Sequence, residues 1–253
     1  MSRPKPYIKL LLNKSDYKPL NSFVLIRSVF IMPDLTDTKT EKVAEIIRKI
    51  HRQKIENLLV VGCGSGIEAA ILAQKLKAKV VGIDIEDNFD AAARKFAALE
   101  TGNAENLLFK DSIFDFVFSY HALEHIPDPK KAVREMHRVL KIGGGFWIGT
   151  PNKSRIVGYV GGKDATLRQK IDWNLADWKA RLAGKFENEA GAHAGFTSDQ
   201  LNRLLAEVFP HVAARTRDYF AAVYPNYPQF LKIIEQSRLS HFIYPSVYFS
   251  GSK

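Results

Sequence analysis

Gly62-Cys63-Gly64-Ser65-Gly66, placed directly after the apolar run Leu58 to Val61, is a turn made almost without side chains. Glycines there let the backbone bend sharply and come close to a ligand, and the helical pattern that follows through Ile67, Ala70 and Ile71 offers unpaired N–H groups to an anion. Asp84 lies 22 residues beyond Gly62, at the end of the next apolar run, where an acid can accept both hydroxyls of a ribose. The pairing predicts a nucleoside ligand. A dinucleotide fingerprint would want its third glycine at the position of Ile67, so the G-x-G-x-G spacing weighs against a nicotinamide cofactor.

His121, Glu124 and His125 form a second group. Their H-x-x-E-H spacing is that of a zinc-protease helix, but such ligands need a continuous helix and a further acid, whereas these follow the run Phe114 to Phe118 and precede Pro127. No metal is predicted. His121, just past a strand end, is the first candidate for a general base, the alternative being a loop histidine with no catalytic part. His193, within Ala192-His193-Ala194-Gly195, is the second candidate, and its reading as a loop residue is preferred. Cys63 has no base partner nearby in sequence and reads as a small buried residue rather than a nucleophile.

The elements that must position these groups are legible as periodicity. The runs Leu58 to Val61, Val80 to Ile83, Phe114 to Phe118 and Phe146 to Ile148 are mostly continuous rather than alternating, as strands covered on both faces of a parallel sheet are. Helical patterns separate them. Val43, Ile46, Ile47 and Ile50 repeat at helix spacing behind a capping box of Thr38 and Glu41; Asp128 and Pro129 open a helix through Ala132, Val133, Met136, Val139 and Leu140, which Gly143 to Gly145 should stop. Phe196, Thr197, Gln200 and Leu201 supply the staple and cap of a last helix. Alternating strand and helix predict a doubly wound, Rossmann-like α/β fold with a mostly parallel sheet.

Two segments break the alternation, 152–195 with Trp173 and Trp178, and the tyrosine-rich 219–244. They are the expected substrate covers on a single domain over 1–253, whose core is 40–150 with 196–253 and whose N-terminal arm is 1–39. Their aromatic residues either cage an acceptor or form the covers' own small core, and the core is preferred.

The 253 residues carry 37 basic and 27 acidic side chains, a balance of +10, with 46% apolar residues. That composition excludes a disordered or collagen-like chain, and the single cysteine excludes an internal disulfide. No apolar stretch is long enough for a membrane span, and no secretory signal follows the basic N-terminus, so a cytoplasmic protein is expected. The positive balance favours an acidic partner.

The motifs between these points occur in a telling order. Thr101-Gly102-Asn103-Ala104-Glu105-Asn106-Leu107, then Phe114-Asp115-Phe116-Val117-Phe118-Ser119, Leu123-Glu124-His125-Ile126 and Arg138-Val139-Leu140-Lys141-Ile142-Gly143-Gly144 follow the glycine turn and Asp84. The series closely resembles the class I S-adenosylmethionine-dependent methyltransferases, in particular the small-molecule type 11 group, over about residues 40–150. The resemblance implies a seven-stranded sheet and S-adenosylmethionine as the methyl donor. It implies that Gly62, Gly64 and Gly66 wrap the donor's methionine part and that Asp84 holds the ribose diol. By the same resemblance Ile85 packs on the adenine, Asn103 faces its amino group, Ala104 offers a backbone N–H, and Ser119 and Tyr120 border the methyl group. Val60 stands where the family often has an acid, and Asn103 where it usually has Asp.

The expected activity is methyl transfer to a small-molecule, sugar- or lipid-linked acceptor. RNA methylation is the first alternative, disfavoured because Ser119-Tyr120-His121-Ala122 lacks the Asn/Asp-Pro-Pro-Tyr signature and the basic residues are dispersed. A non-catalytic nucleoside-binding scaffold on a membrane surface is the second; its lipid contacts would be Tyr7 and Leu10 to Leu12 with the segment Phe230 to Tyr244, although packing of both onto the domain is preferred.

Overall fold

The computed structural model describes residues 37–159, 165–188, 193–237 and 239–253. The chain divides into two units, Met1–Met32 and Pro33–Lys253. The N-terminal arm up to residue 36, and with it the lipid contact considered for Tyr7 and Leu10 to Leu12, falls outside the described residues.

Seven strands make one sheet: β1 (Asn57–Val61), β2 (Lys79–Asp84), β3 (Ala98–Thr101), β4 (Phe114–Tyr120), β5 (Leu140–Pro151), β6 (His211–Ala214) and β7 (Ser246–Ser252). Their order is β3-β2-β1-β4-β5-β7-β6; the first five run parallel, and β7 is antiparallel to both neighbours. The four mostly apolar runs are β1, β2, β4 and part of β5, and the reason for their character is visible in β1. Leu58 and Val60 face one core cluster, Leu59 and Val61 the other.

Helices cover both faces. α1 (Thr38–Ile50), α2 (Ile67–Leu76), α6 (Thr216–Val223) and α7 (Pro228–Gln236) contribute to the first cluster, α3 (Pro129–Val139) and α5 (Ser198–Ala206) to the second. The short α8 (Ser240–Ile243) packs against the first cluster only through Ile243, and α4 (Leu167–Leu182) lies outside both, with no buried residue. Thr197 and Gln200 form the anticipated capping box of α5, and Asp128 caps α3 ahead of Pro129. Such caps are each worth about 1 kcal/mol.

Two local expectations need correction. The cap of α1 is Asp37, whose carboxylate accepts from the N–H groups of Lys39 and Thr40, so Thr38 is already helical. A carboxylate serves these donors better than a hydroxyl one residue further in. Gly143 to Gly145 do not stop α3, which ends at Val139; the chain passes directly into β5 and the glycines lie within that strand. A Cβ on Gly145 would stand 2.7 Å from both Phe116 and His51, so glycine is what lets β5 lie against β4 there.

Tyr219, Phe220, Ile234 and Tyr244 belong to the core, whereas Phe230, Ile233 and Phe242 of the same segment are exposed. Trp173 and Trp178 are each 42% exposed.

Candidate active site

The winding of the sheet reverses between β1 and β4, and in an open α/β sheet ligands bind outside the carboxyl ends of the strands at that point. The glycine turn leaves β1 there, Asp84 ends β2, and Ser119 and Tyr120 end β4. The N–H groups of Gly62 and Cys63 both donate to the Ile83 carbonyl at 2.9 Å, which ties the turn to β2. Gly64 N–H donates to Asp84 Oδ2 at 2.7 Å and Glu86 N–H to Oδ1 at 3.2 Å. A carboxylate has about four acceptor positions, so Asp84 holds the turn and still has lone pairs for a ligand.

Gly62, Gly64 and Gly66 all have positive φ, at +73°, +52° and +83°. Their surroundings differ. A Cβ at Gly62 would lie 2.1 Å from Ala122 Cβ, and one at Gly66 would lie 2.2 Å from Leu99 Cδ1, but at Gly64 it would meet nothing within 4 Å. The outer glycines close the turn against the protein; the middle one fronts open space. Ile85, directly after β2, is 73% exposed. Asn103 Oδ1 accepts from Glu105 N–H at 2.8 Å, so its carbonyl already closes a local turn and has one further lone pair. Ala104 is half-buried against the second core cluster. Ser119 is buried, and its Oγ has no partner among the described residues.

Beyond Tyr120 opens a cavity of about 400 Å³ whose lining includes His121, Glu124, His125, His193, Tyr219 and Tyr248. Both candidate histidines thus reach one space. Tyr120 OH lies 2.9 Å from Tyr219 OH and 3.3 Å from Tyr248 OH, and the Tyr219 and Tyr248 rings stack at 3.9 Å. Gly149 makes this possible: it pairs with Tyr248 across β5 and β7, and a Cβ there would stand 2.5 Å from the Tyr248 ring. Burial raises all three phenols above their ordinary values, so they remain neutral donors and acceptors.

His121 holds a left-handed backbone, φ +53°, with its N–H on the Gly149 carbonyl at 2.8 Å. A non-glycine residue so placed costs about 1–3 kcal/mol, strain that aims the imidazole into the cavity. Its Nδ1 is 3.8 Å from Glu124 Oε1 and its Nε2 3.5 Å from Ser246 Oγ. Desolvation, reinforced by Lys39 and Arg155, pushes the imidazole down to about 3, although a third of the side chain faces the cavity. His121 is therefore neutral across the working pH range. His193 is also lowered by burial; its ring meets that of His125 edge-on at 4.7 Å, and its carbonyl accepts from Arg155.

Glu124 is 1% exposed, and its Oε2 has no partner among the described residues. Burial raises its carboxyl to about 7 from 4.5. An acid held protonated by the fold stabilises it below its unfolded value, and that contribution is lost as pH rises from about 4.5 through about 7. Glu124→Gln keeps the shape and the neutrality. Thermal melts from pH 5 to pH 8 should show the parent losing stability relative to the variant; parallel curves would refute the assignment.

Cys63 is buried and its thiol is pushed up to about 12, so it is no nucleophile. The H-x-x-E-H residues lie on a strand end and a single 3₁₀ turn, Leu123–His125, where no continuous helix presents them. Trp173 and Trp178 are not among the cavity's lining: the first packs on Tyr159, and the second bonds the Ile156 carbonyl. Periodicity missed Tyr219, Tyr248 and Ser246, which reach Tyr120 and His121 from about a hundred residues away. It also missed Arg155, which bonds Asp177 at 2.8 Å and the carbonyls of Asn152, His193 and Ala194, fastening the first cover beside the cavity.

Among the described residues no helix is long and apolar enough to cross a membrane. Residues 59–148 match the family model described as a methyltransferase domain. The chain is 36% identical over 107 residues to a demethylmenaquinone methyltransferase of Staphylococcus epidermidis, covering 39% of this chain and 44% of that one. It is 36% identical over 108 residues to a ubiquinone biosynthesis O-methyltransferase of Pseudomonas paraeruginosa, covering 39% and 46%. The chain therefore spans less than half the length of these relatives. In fold it is similar to phosphoethanolamine N-methyltransferase 2 of Haemonchus contortus, solved with S-adenosyl-L-methionine, at a TM-score of 0.53, 17% identity, and 84% and 52% coverage.

Proposed function

We propose that this chain transfers a methyl group from S-adenosylmethionine to a small-molecule acceptor held in the tyrosine- and histidine-lined cavity, a reading supported by the match of residues 59–148 to the methyltransferase-domain family model. The observation that carries the reading is the middle glycine of the turn. Its N–H is fixed by Asp84 while its Cα side faces open space, the cradle that the donor's methionine part requires. Asp84 would accept the ribose hydroxyls, Ile85 would cover the adenine, and the second lone pair of Asn103 Oδ1 would take the adenine amine.

S-adenosylmethionine supplies a methyl group on a sulfonium, already a good leaving group. The protein's work is then alignment and exclusion of water. Tyr120, Tyr219 and Tyr248 offer aromatic faces and neutral hydroxyls that orient an acceptor at the end of β4. Neutral His121 can accept a hydrogen bond from an acceptor hydroxyl and so aim its oxygen at the methyl group, while an imidazole lowered this far is a weak proton acceptor and acts chiefly by orientation. Relatives named for quinone substrates support an acceptor that is a small organic molecule.

His121→Ala should lower turnover at least about tenfold while donor affinity stays within about twofold. Unchanged turnover would remove His121 from the chemistry. The acceptor itself is found by incubating a cell extract with the protein and isotopically labelled donor and searching by mass spectrometry for a labelled product. A labelled small molecule is expected, and label confined to RNA or protein would overturn the reading.

A further inference from the structure

α4 is docked by its polar side. Asn174 exchanges bonds with Gly158, its Oδ1 accepting at 2.7 Å and its Nδ2 donating at 3.1 Å. Asp177 pairs with Arg155 at 2.8 Å, and Arg181 donates to the Arg155 carbonyl at 2.9 Å while lying 3.9 Å over the Phe186 ring. These residues are spaced at three and four and so share one helix face. The apolar residues Leu167, Ile171, Leu175 and Leu182 recur four, eight and fifteen positions along, and at about 100° per residue they fall in a single stripe. That stripe is turned outward: Leu167 is 75% exposed, Leu182 86%, and the two between them just over half. A helix of a water-exposed cover ordinarily does the reverse.

The apolar surface continues from one cover to the other. Trp178, in the same stripe, donates its indole N–H to the Ile156 carbonyl at 3.1 Å; Ile156 is itself half exposed, and its N–H donates to the carbonyl of Phe242, which is also exposed. Arg168, Asp172 and Lys179, all exposed, follow the stripe along its edge, two cations to one acid. Over 165–188 five basic side chains face three acids, and one of those acids, Asp177, is neutralised by Arg155.

We propose that the outward stripe of α4, with its basic edge, docks this protein on an anionic lipid bilayer. Exposed Leu and Ile beside Arg and Lys are what an interfacial helix presents to acyl chains and acidic headgroups. A second copy of the chain is a poorer occupant, since each carries +10 and the two basic edges would be brought together. RNA would neutralise the basic edge and leave the stripe in water. Arg155 and Tyr159, on the strap that α4 grips, line the cavity, so a docked helix sets the cavity beside the leaflet. The proposal stands apart from methyl transfer, because vesicle binding is read without donor or acceptor.

The test is co-sedimentation of the full chain with vesicles of phosphatidylcholine alone or mixed with phosphatidylglycerol, at low and high salt. The parent should bind the mixed vesicles at least about tenfold better than the neutral ones and lose that preference at high salt. Ile171→Glu with Leu175→Glu should lose binding at least about tenfold with an unchanged melting temperature, since both positions are exposed. No binding of the parent to mixed vesicles, or equal binding by the double variant, overturns the proposal. So does a dimer in solution that the double variant dissociates, which would assign the stripe to a second copy, or capture of RNA in preference to the vesicles.

Discussion

Asp84→Ala is expected to weaken S-adenosylmethionine binding by about 10- to 150-fold, the range that a charge-assisted hydrogen bond of about 1.5–3 kcal/mol converts to. Two losses combine in that variant. The carboxylate that would accept the ribose hydroxyls is gone, and the N–H groups of Gly64 and Glu86 lose the acceptor that now orders the turn. Asp84→Asn separates them, because an amide oxygen still accepts from Gly64 while the negative charge is removed. Its affinity should fall between those of the parent and the alanine variant. An alanine variant that binds within about twofold of the parent would show that Asp84 does not touch the donor.

Gly64→Val is expected to abolish donor binding and to leave a folded protein. A valine at φ +52° is strained by about 1–2 kcal/mol, but its Cβ meets no atom of the protein within 4 Å. The isopropyl group would fill the space in which the donor's backbone contacts are made. Gly62→Val is the contrast: its Cβ would overlap Ala122 Cβ at 2.1 Å, so that variant should lose stability before binding can be asked about. Circular-dichroism melts beside binding titrations separate the two. Equal loss of fold in both variants would make the whole turn structural, and retained binding in Gly64→Val would place the donor elsewhere.

Much of the sheet was legible because its central strands are sealed on both faces, which turns a parallel strand into an unbroken apolar run such as Leu58 to Val61. The cap of α5 was legible because Thr197 and Gln200 act within four residues of each other. The cap of α1 was misplaced because Asp37 and Thr38 are adjacent and both suit a cap; the carboxylate reaches two N–H groups and wins. Gly143 to Gly145 follow a helical pattern as a stop signal would, and only the neighbouring Phe116 and His51 show that they serve β5.

The donor side of the site is local in sequence: turn, acid and strand ends each stand next to a motif, and short-range spacing is enough to single out their residues. The acceptor side is assembled from afar. Tyr120 meets Tyr219 and Tyr248 through their hydroxyls across 99 and 128 residues, and Arg155 joins 152–155, 177 and 193–194 through buried bonds. Periodicity carries no trace of such contacts. In sequence α4 is only weakly amphipathic, so its apolar stripe gave little signal; its exposure became visible only with Asn174 and Asp177 found on the docked face.

The most direct measurement is isothermal titration calorimetry of the folded 253-residue chain with S-adenosylmethionine, run beside Gly64→Val and beside NAD. The account predicts one saturable site per chain for S-adenosylmethionine, no heat with the valine variant, and none with NAD. A parent that gives no heat with S-adenosylmethionine, or a valine variant that binds it as the parent does, would contradict the placement of the donor against the turn at residues 62–66.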